Sequence, residues 1–167
     1  MAVVQKSVLV GYSAEQMFAL VDAVEEYPQF LPWCGGVEVQ QRNDTSLVAT
    51  LHINFHGVHQ SFTTENTNSA PSLMKMRLIS GPFKHLDGTW VFKPLRENAC
   101  KIEFDLHYEF SSKILEHLIG PVFSKIANSF VDAFCLRAES VYGKWIYYFS
   151  ASVLHGTRNT ISQDLAN

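Results

Sequence analysis

The stretch that decides the fold is GPVFSKIANSFVDAFCLRAESVYG, residues Gly120 to Gly143. Its apolar residues recur every three or four positions and its polar residues gather on the opposite side, which is the pattern of an amphipathic helix. Because Pro121 suits a first helical position and Gly143 suits a helix end, the sequence predicts a helix from about Val122 to Gly143. The apolar face predicted to be buried consists of Phe123, Ile126, Phe130, Phe134, Ala138 and Val141.

The segments before this helix predict the apolar surface on which it lies. The clearest is KIEFDLHYEF, residues 101–110, in which polar and apolar side chains alternate so that one strand face is apolar. AVVQKSVLV predicts a first strand, and Ser13 then caps a short helix. Further strands are predicted for VEVQQ, SLVATLHINF, VHQSFTTEN, LMKMRLI and DGTWVFKPL. Strands framed by helices predict an α+β fold, a curved antiparallel sheet of about seven strands around the long C-terminal helix.

Two segments interrupt the strands. In YPQFLPWCGG, residues 27–36, two prolines prevent a long regular element, while the apolar residues are unsuited to a solvated loop. We expect this segment to fold down as a short plug. The second interruption is GPFKHL, residues 81–86.

Length and composition limit the class of protein. The 167 residues suit a single domain, predicted for residues 1–144, followed by a C-terminal extension over 145–167. Within the extension, Trp145 to Leu154 could prolong the helix, pack on the sheet edge or touch a membrane surface, and the sequence does not choose among these. The net charge of −3 argues against broad binding to DNA or RNA. With no leader peptide, no long apolar run and three unpaired cysteines, the chain is expected in the cytoplasm.

The residue patterns do not predict catalysis or metal binding. His52, His56 and His59 could suggest zinc, but the turn at Gly57 breaks the strand register and a solvated hairpin end is favoured. Cys34 could pair with a histidine as a nucleophile, but a buried structural thiol is favoured because nothing nearby in the sequence activates it. GxSxG, Walker and GxGxxG motifs are all missing from the sequence. We therefore expect neither an enzyme nor a metal protein.

A group of basic residues needs separate consideration. Lys84, His85, Lys93 and Arg96 lie close together in the sequence, around one predicted strand. They indicate either a solvated sheet edge, which is favoured, or a site for phosphate or ribosomal RNA.

The aromatic residues are more numerous than a minimal core requires, with twelve phenylalanines among 167 residues. If sheet and helix face each other as predicted, many of these rings converge between them and line an apolar cavity. The alternative is a solid core, which is the ordinary state of a protein interior. The predicted ligand-binding residues are Tyr27, Phe30, Leu31, Trp33, Phe83, Trp90, Phe92, Phe104, Tyr108, Phe123, Phe130 and Phe134.

Three strings resemble a known family. YPQFLPWC, GPFKHLDGTWVF and RAESVYG are similar to the signature of the coenzyme Q-binding protein family, which includes the bacterial RatA-type proteins. The resemblance covers residues 2 to about 144. It implies a START-like helix-grip fold, related to polyketide cyclases, and non-catalytic binding of ubiquinone in support of respiratory electron transfer. For RatA-type members it implies instead a toxin that binds the large ribosomal subunit and blocks its joining to the small one.

These considerations lead to an expected function with alternatives. The first expectation is a carrier for ubiquinone or a related isoprenoid, held in an apolar slot without a cofactor and in contact with the inner membrane at most peripherally. The alternative is the RatA-type ribosome-binding role. A cyclase-like enzyme would need an inward-facing polar cluster, and the apolar alternation of residues 101–110 argues against one.

The carrier hypothesis assigns positions to the rings. We expect Tyr27, Trp33 and Trp90 near the cavity mouth, and Phe104, Phe123 and Phe130 in its depth. The lips are predicted at Phe30 to Pro32 and at Gly81 to Phe83. An exposed Phe or Leu at a lip, Leu31 in particular, is predicted to dock on a bilayer without a role in folding.

Overall fold

The structure, a computed structural model, describes residues 1–144, so the predicted extension and its segment Trp145 to Leu154 lie outside the described residues. Seven strands and two α-helices follow one another in the chain, with a 3₁₀ helix after the first α-helix. Their bounds are β1 (Ala2–Val10), α1 (Ala14–Asp22), the 3₁₀ helix (Val24–Gln29), β2 (Cys34–Arg42), β3 (Ser46–Phe55), β4 (Val58–Ser69), β5 (Leu73–Ser80), β6 (Phe83–Arg96), β7 (Ala99–Phe110) and α2 (Lys113–Tyr142).

The strands form one antiparallel sheet in the order β1-β7-β6-β5-β4-β3-β2. The predicted fold class, a curved seven-stranded sheet with a long C-terminal helix, is thereby confirmed. On β7 the side chains of Ile102, Phe104, Leu106, Tyr108 and Phe110 are all buried, as the alternation predicted. Helix α2 packs on this apolar face.

The two edges of the sheet are β1 and β2. In β1, Lys6 lies directly opposite Phe104 of β7, and Val4 lies opposite Leu106. Residues directly opposite each other in an antiparallel pair share a sheet face, so Lys6 occupies a position on the core face. Val4 is buried there, whereas Lys6 remains exposed at the edge.

The first helix begins where the sequence predicts. Ser13 caps α1 by accepting a hydrogen bond from the Gln16 backbone N–H at 3.1 Å, and the Gln16 side chain accepts one from the Ser13 N–H at 2.9 Å. This reciprocal capping box satisfies two backbone donors that the first helical turn would otherwise leave free. The apolar side chains of Met17 and Phe18 are buried against the sheet side of the domain.

The predicted start of the long helix is wrong. Helix α2 begins at Lys113 instead of Val122, with Ser112 accepting a hydrogen bond from the Leu115 N–H at 3.2 Å. Its 30 residues span about 45 Å at 1.5 Å per residue. Pro121 therefore lies inside the helix, where it costs about 3 kcal/mol relative to alanine. The apolar row from Ile119 through Phe123 continues across it, and packing of this row offsets the local cost.

The other end of α2 also differs from expectation. The apolar periodicity predicts Val141 on the buried face, but this residue is 47% exposed. The last turn directs Tyr142 toward α1 instead, where its hydroxyl donates to the Gln16 carbonyl at 2.9 Å and its ring packs on Tyr12. Neighbouring residues of an α-helix point about 100° apart, so the Val141 side chain faces solvent when Tyr142 faces α1.

The predicted plug, residues 27–36, is irregular only over residues 30–33, because the 3₁₀ helix extends to Gln29 and β2 begins at Cys34. Leu31, expected to be exposed at a lip, is only 1% exposed. Two backbone hydrogen bonds turn it inward, from the Leu31 N–H to the Tyr27 carbonyl at 2.9 Å and from the Cys34 N–H to the Leu31 carbonyl at 3.0 Å. Leu31 is therefore a core residue, and its replacement by glutamate would disrupt folding instead of leaving the fold intact.

The second interruption is shorter than GPFKHL suggests, because β6 already begins at Phe83. Only Gly81 and Pro82 separate β5 from β6. Gly81 has a φ of +147°, and a Cβ there would lie 2.7 Å from the Cβ of Phe62. Both the backbone conformation and this close approach require glycine at the position.

Candidate functional site

A small cavity of about 70 Å³ lies between the sheet and α2. Its walls are almost entirely apolar and come from five strands, α2 and the segment between α1 and β2. Among the described lining residues only Phe62, Met76 and Phe130 are half-buried, so these three are the parts of the wall that reach solvent. The lining residues are Val24, Tyr27, Trp33, Ala49, Leu51, Phe62, Thr64, Asn66, Met76, Leu86, Phe104, Leu106, Phe123, Ile126, Ala127 and Phe130.

The twelve predicted ligand-binding residues divide into three groups. Those that line the cavity are Tyr27, Trp33, Phe104, Phe123 and Phe130. Those that pack beside it in the core are Leu31, Phe83, Trp90, Phe92, Tyr108 and Phe134. Phe30 lies on the outer side of α2, against the Phe134 ring at 5.3 Å. The role of these twelve residues in ligand binding stays a prediction.

The expected placement of Trp90 at a mouth is wrong. Its side chain is 0% exposed and lies at the centre of an aromatic cluster, stacked on Phe92 with ring centroids 5.9 Å apart. The rings of Phe104, Phe130 and Phe134 lie within 4.5 to 5.8 Å of it. Within the described part of the chain its indole N–H has no hydrogen-bond partner. This half of the interior is filled with interlocked rings.

Tyr27 and Trp33 are also buried instead of exposed at a mouth, at 4% and 5%. The Tyr27 hydroxyl donates a hydrogen bond to the Val21 carbonyl at the end of α1. Burial is the main cause that raises the pKa of this phenol far above its ordinary value. The nearby Asp22 carboxylate is a smaller cause in the same direction. The ring thus forms an inner wall of the cavity while its polar end binds the backbone.

Two polar side chains in the cavity were missed by the sequence analysis. Thr64 and Asn66 line it and are only 7% and 5% exposed. They alternate with outward residues along β4 and so share the inner face with Phe62. The period of two in VHQSFTTEN indicates this shared face, but hydropathy alone does not single out a polar residue as part of an apolar wall.

The size of the cavity limits what it can hold without rearrangement. An engineered cavity of about 150 Å³ in another protein binds benzene, so about 70 Å³ is less than one ring requires. A ring-sized ligand therefore requires the half-buried side chains of Phe62, Met76 or Phe130 to move. Met76 lies over Gly88, where an added Cβ would be 2.6 Å from the Met76 methyl carbon.

A second depression, which we call the α2 groove, runs along the outer side of α2 and holds about 550 Å³. The guanidinium of Arg137 lies 5.0 Å above the Phe30 ring, and its Nη2 contacts Gln29 at 3.1 Å. Lys125 lies 5.9 Å above the Phe55 ring, and Leu136 on the rim is 67% exposed. The groove therefore combines cations, aromatic faces, an exposed aliphatic side chain and the exposed Asp132 carboxylate.

The remaining candidate residues do not assemble into a reactive site. Within residues 1–144 no three His, Cys, Asp or Glu side chains come together as metal ligands, and His52 instead contacts Ser61 and Glu38. Burial raises the pKa of the Cys34 thiol, which keeps it protonated and weakly nucleophilic at neutral pH.

The basic residues around β6 are spread along the strand. Lys84 is the second residue of β6 and Arg96 is the last. At 3.3 Å per residue, these two positions are about 40 Å apart along the strand. Lys93 instead pairs with Glu103 of β7 at 3.1 Å. These residues therefore do not form one anion site. In the part of the chain that the structure describes, no helix has the length and hydropathy needed to cross a membrane.

Comparison with known proteins places the chain among relatives. The profile of the polyketide cyclase / dehydrase and lipid transport family matches residues 10–135. The ribosome association toxin RatA of Vibrio cholerae is 44% identical over 141 residues, which cover 84% of this chain and 98% of that protein. The mitochondrial coenzyme Q-binding protein COQ10 of Drosophila melanogaster is 33% identical over 141 residues, covering 82% of this chain and 55% of that protein.

Solved structures share the architecture at lower identity. A START superfamily protein from Mycobacterium smegmatis has a TM-score of 0.70 at 22% identity, covering 83% of this chain and 98% of that one. The Zhui aromatase/cyclase from Streptomyces sp. R1128 has a TM-score of 0.69 at 16% identity, covering 83% and 93%. At these identities the likeness concerns the fold alone. Together with the matched profile and the curated relatives, it means that the chain belongs to the START-like polyketide cyclase / dehydrase and lipid transport family, alongside the RatA and coenzyme Q-binding proteins.

Proposed function

We propose that this protein is a non-catalytic, cytoplasmic protein that associates with ribosomes through the large subunit. The observation that carries this proposal is the 44% identity to a protein named ribosome association toxin, over nearly the whole of that protein. The packed interior supports it. The cavity between sheet and helix, at about 70 Å³, holds less than one ring without rearrangement, which favours a role for the surface over a role for the interior.

The α2 groove is the surface that best fits a contact with a ribosomal particle. Arginine and aromatic residues dominate the energetics of macromolecular interfaces, and the groove brings both together with the exposed Leu136. Arg137 is held in place by Phe30, Gln29 and Glu26, so little side-chain entropy is lost when a partner binds. Lys125 and Arg137 offer positive charges to a polyanionic particle, while the groove also contains the exposed Asp132 carboxylate.

Sedimentation of cell extracts tests this function. When the protein is overproduced, we expect it in the large-subunit fraction together with an increase of free subunits. Leu136→Glu and Lys125→Glu should each reduce this co-sedimentation at least tenfold, because both oppose contact at the α2 groove. Lys75→Glu on the outer face of β5 is the matched control and should co-sediment as the wild type does. A wild-type protein that remains at the top of the gradient, with unchanged subunit ratios, would contradict the proposal.

A second candidate function is the binding of ubiquinone or a related isoprenoid in the cavity. The observation favouring it is an apolar enclosure whose three half-buried wall residues could move apart. The relative named as a coenzyme Q-binding protein also supports it, although the chain spans only 55% of that protein. Each methylene removed from water contributes about 0.8 kcal/mol, so such a site needs no reactive side chain.

Extraction of freshly purified protein with organic solvent, followed by mass spectrometry, tests the second function. We expect an isoprenoid from the wild type and none from Ala127→Leu, because the larger side chain fills the cavity that Ala127 lines. Ribosome co-sedimentation of the same variant separates the two functions, since filling the cavity leaves the α2 groove intact. Repeated extraction of wild-type protein without any isoprenoid would remove this candidate.

A further inference from the structure

We propose that Asn66, held by Thr64, anchors the polar end of a neutral apolar ligand in the cavity. This inference rests on the second candidate function and deepens it, because it names the group that recognises the ligand and the chemistry recognised. The ligand class is an apolar molecule that carries a carbonyl or another hydrogen-bond-accepting oxygen.

Among the described residues, the Asn66 side chain lacks strong hydrogen-bond acceptors for its amide N–H groups. Its side chain is 5% exposed, yet within residues 1–144 its Nδ2 contacts only the Met74 sulfur, at 3.6 Å. Its Oδ1 accepts from the Thr64 hydroxyl at 3.5 Å, which is long for a hydrogen bond between oxygens. An asparagine amide carries two N–H donors, and buried donors are normally paired with oxygen or nitrogen. Asn66 therefore has donor capacity that no strong acceptor in the described chain uses.

Asn66 lies beside the half-buried part of the cavity wall. Asn66 lies directly opposite Met76 in the register of β4 and β5, and Phe62 lies on the same inner face of β4. Phe62 and Met76 are two of the three half-buried residues of the cavity wall. A ligand that enters between them meets the Asn66 amide, while the rest of its surface lies against Phe104 and Phe130.

The lining of the cavity favours a neutral ligand. None of the described residues that line the cavity is charged. A carboxylate or phosphate in the cavity would therefore be desolvated without an opposite charge, which is highly unfavourable. Because the free capacity of Asn66 is a donor, the cavity selects a neutral acceptor over an anion or a pure hydrocarbon.

A matched pair of small probes tests the anchor. Tetramethyl-1,4-benzoquinone and 1,2,4,5-tetramethylbenzene share a ring and four methyl groups and differ in the two carbonyl oxygens. Titrations of the full chain followed by NMR should show the quinone binding about tenfold more tightly than the hydrocarbon, the factor expected of one hydrogen bond. Asn66→Leu should reduce this ratio to near one, and Asn128→Leu, the same change on the exposed face of α2, should leave it unchanged.

The outcomes separate this inference from the function beneath it. If neither probe binds the wild type, cavity binding itself is overturned and the anchor with it. If both bind but Asn66→Leu keeps the tenfold ratio, the anchor is wrong while cavity binding stands. Should Asn66→Leu not fold, the side-chain NH₂ resonances of Asn66 in the wild type decide. They should shift with the quinone and stay in place with the hydrocarbon, and equal shifts would overturn the anchor.

Discussion

Tyr27 illustrates how a single side chain joins the plug to the rest of the domain. Its hydroxyl donates to the Val21 carbonyl at the end of α1, and its ring lies edge-on to Phe134 of α2 at 5.3 Å. Tyr27 thus contacts α1 through a hydrogen bond and α2 through aromatic packing. Because the phenol is buried, no water replaces the hydrogen bond if the hydroxyl is removed.

Tyr27→Phe is expected to destabilise the protein by about 1 to 2 kcal/mol, because a buried carbonyl loses its partner. Urea unfolding followed by circular dichroism measures the change. Tyr142→Phe is the matched control, since its hydroxyl donates to the Gln16 carbonyl in an exposed setting where water can substitute. The control should change stability by less than about 0.5 kcal/mol. Equal effects of the two variants would contradict this account.

Individual residues also show why the site was only partly predictable. Phe104, Phe123 and Phe130, predicted in the depth of the cavity, all line it. Leu31 was misplaced because two turn hydrogen bonds, which depend on the local backbone path, rotate it inward. Trp90 was expected at the mouth because tryptophan is apolar but carries one polar N–H group. The sequence does not reveal that four other rings surround its side chain.

Among the elements, β7 and α2 show opposite degrees of predictability. The strict alternation in β7 determined both its strand character and its buried face, because a period of two has one structural interpretation. Helix α2 was predicted nine residues too short, since Gly120 and Pro121 are helix-breaking by local propensity. Tertiary packing overrides propensity there, because Ile119 and Phe123 on either side are both buried.

A pair of glycine substitutions tests this view of the elements. Gly120→Ala should stabilise the protein by about 0.5 to 1 kcal/mol, because alanine favours the helix and its Cβ meets only ordinary contacts at 3.8 Å from Glu116 and Phe110. Gly88→Ala should destabilise it by about 1 to 3 kcal/mol, because the Cβ would lie 3.1 Å from the Asp105 carbonyl and displace Met76. Thermal unfolding measures both, and changes of the same sign would contradict the assignment.

At the scale of the whole molecule, the interior holds several ionisable groups in their neutral form. Burial raises the pKa of the Cys100 thiol to about 12 and that of Cys135 to about 11. Burial likewise raises the pKa of Cys34 and of Tyr27. All these groups ionise more readily in the unfolded chain than in the folded domain. Their contribution to stability is therefore complete below the unfolded thiol pKa of 9.0 and is lost as the pH rises above it.

The free energy of unfolding is accordingly expected to be nearly constant between pH 7 and about 8 and to fall progressively above about pH 9. Urea titrations at a series of pH values under reducing conditions measure this dependence. Cys100→Ala removes one of the raised thiols and should make the decline less steep. An unfolding midpoint that stays constant up to pH 10.5 would show that the thiols ionise equally in both states.

The position of Lys6 has a consequence for the behaviour of many molecules together. An edge strand with unpaired backbone groups and a continuous apolar face can recruit strands from other chains and begin aggregation. Lys6 places an ammonium group on the core face of β1, between Val4 and Val8, so an incoming strand would have to cover a charge. Lys6→Val should preserve the fold of the single chain and promote self-assembly, seen as rising light scattering at concentrations where the wild type remains clear.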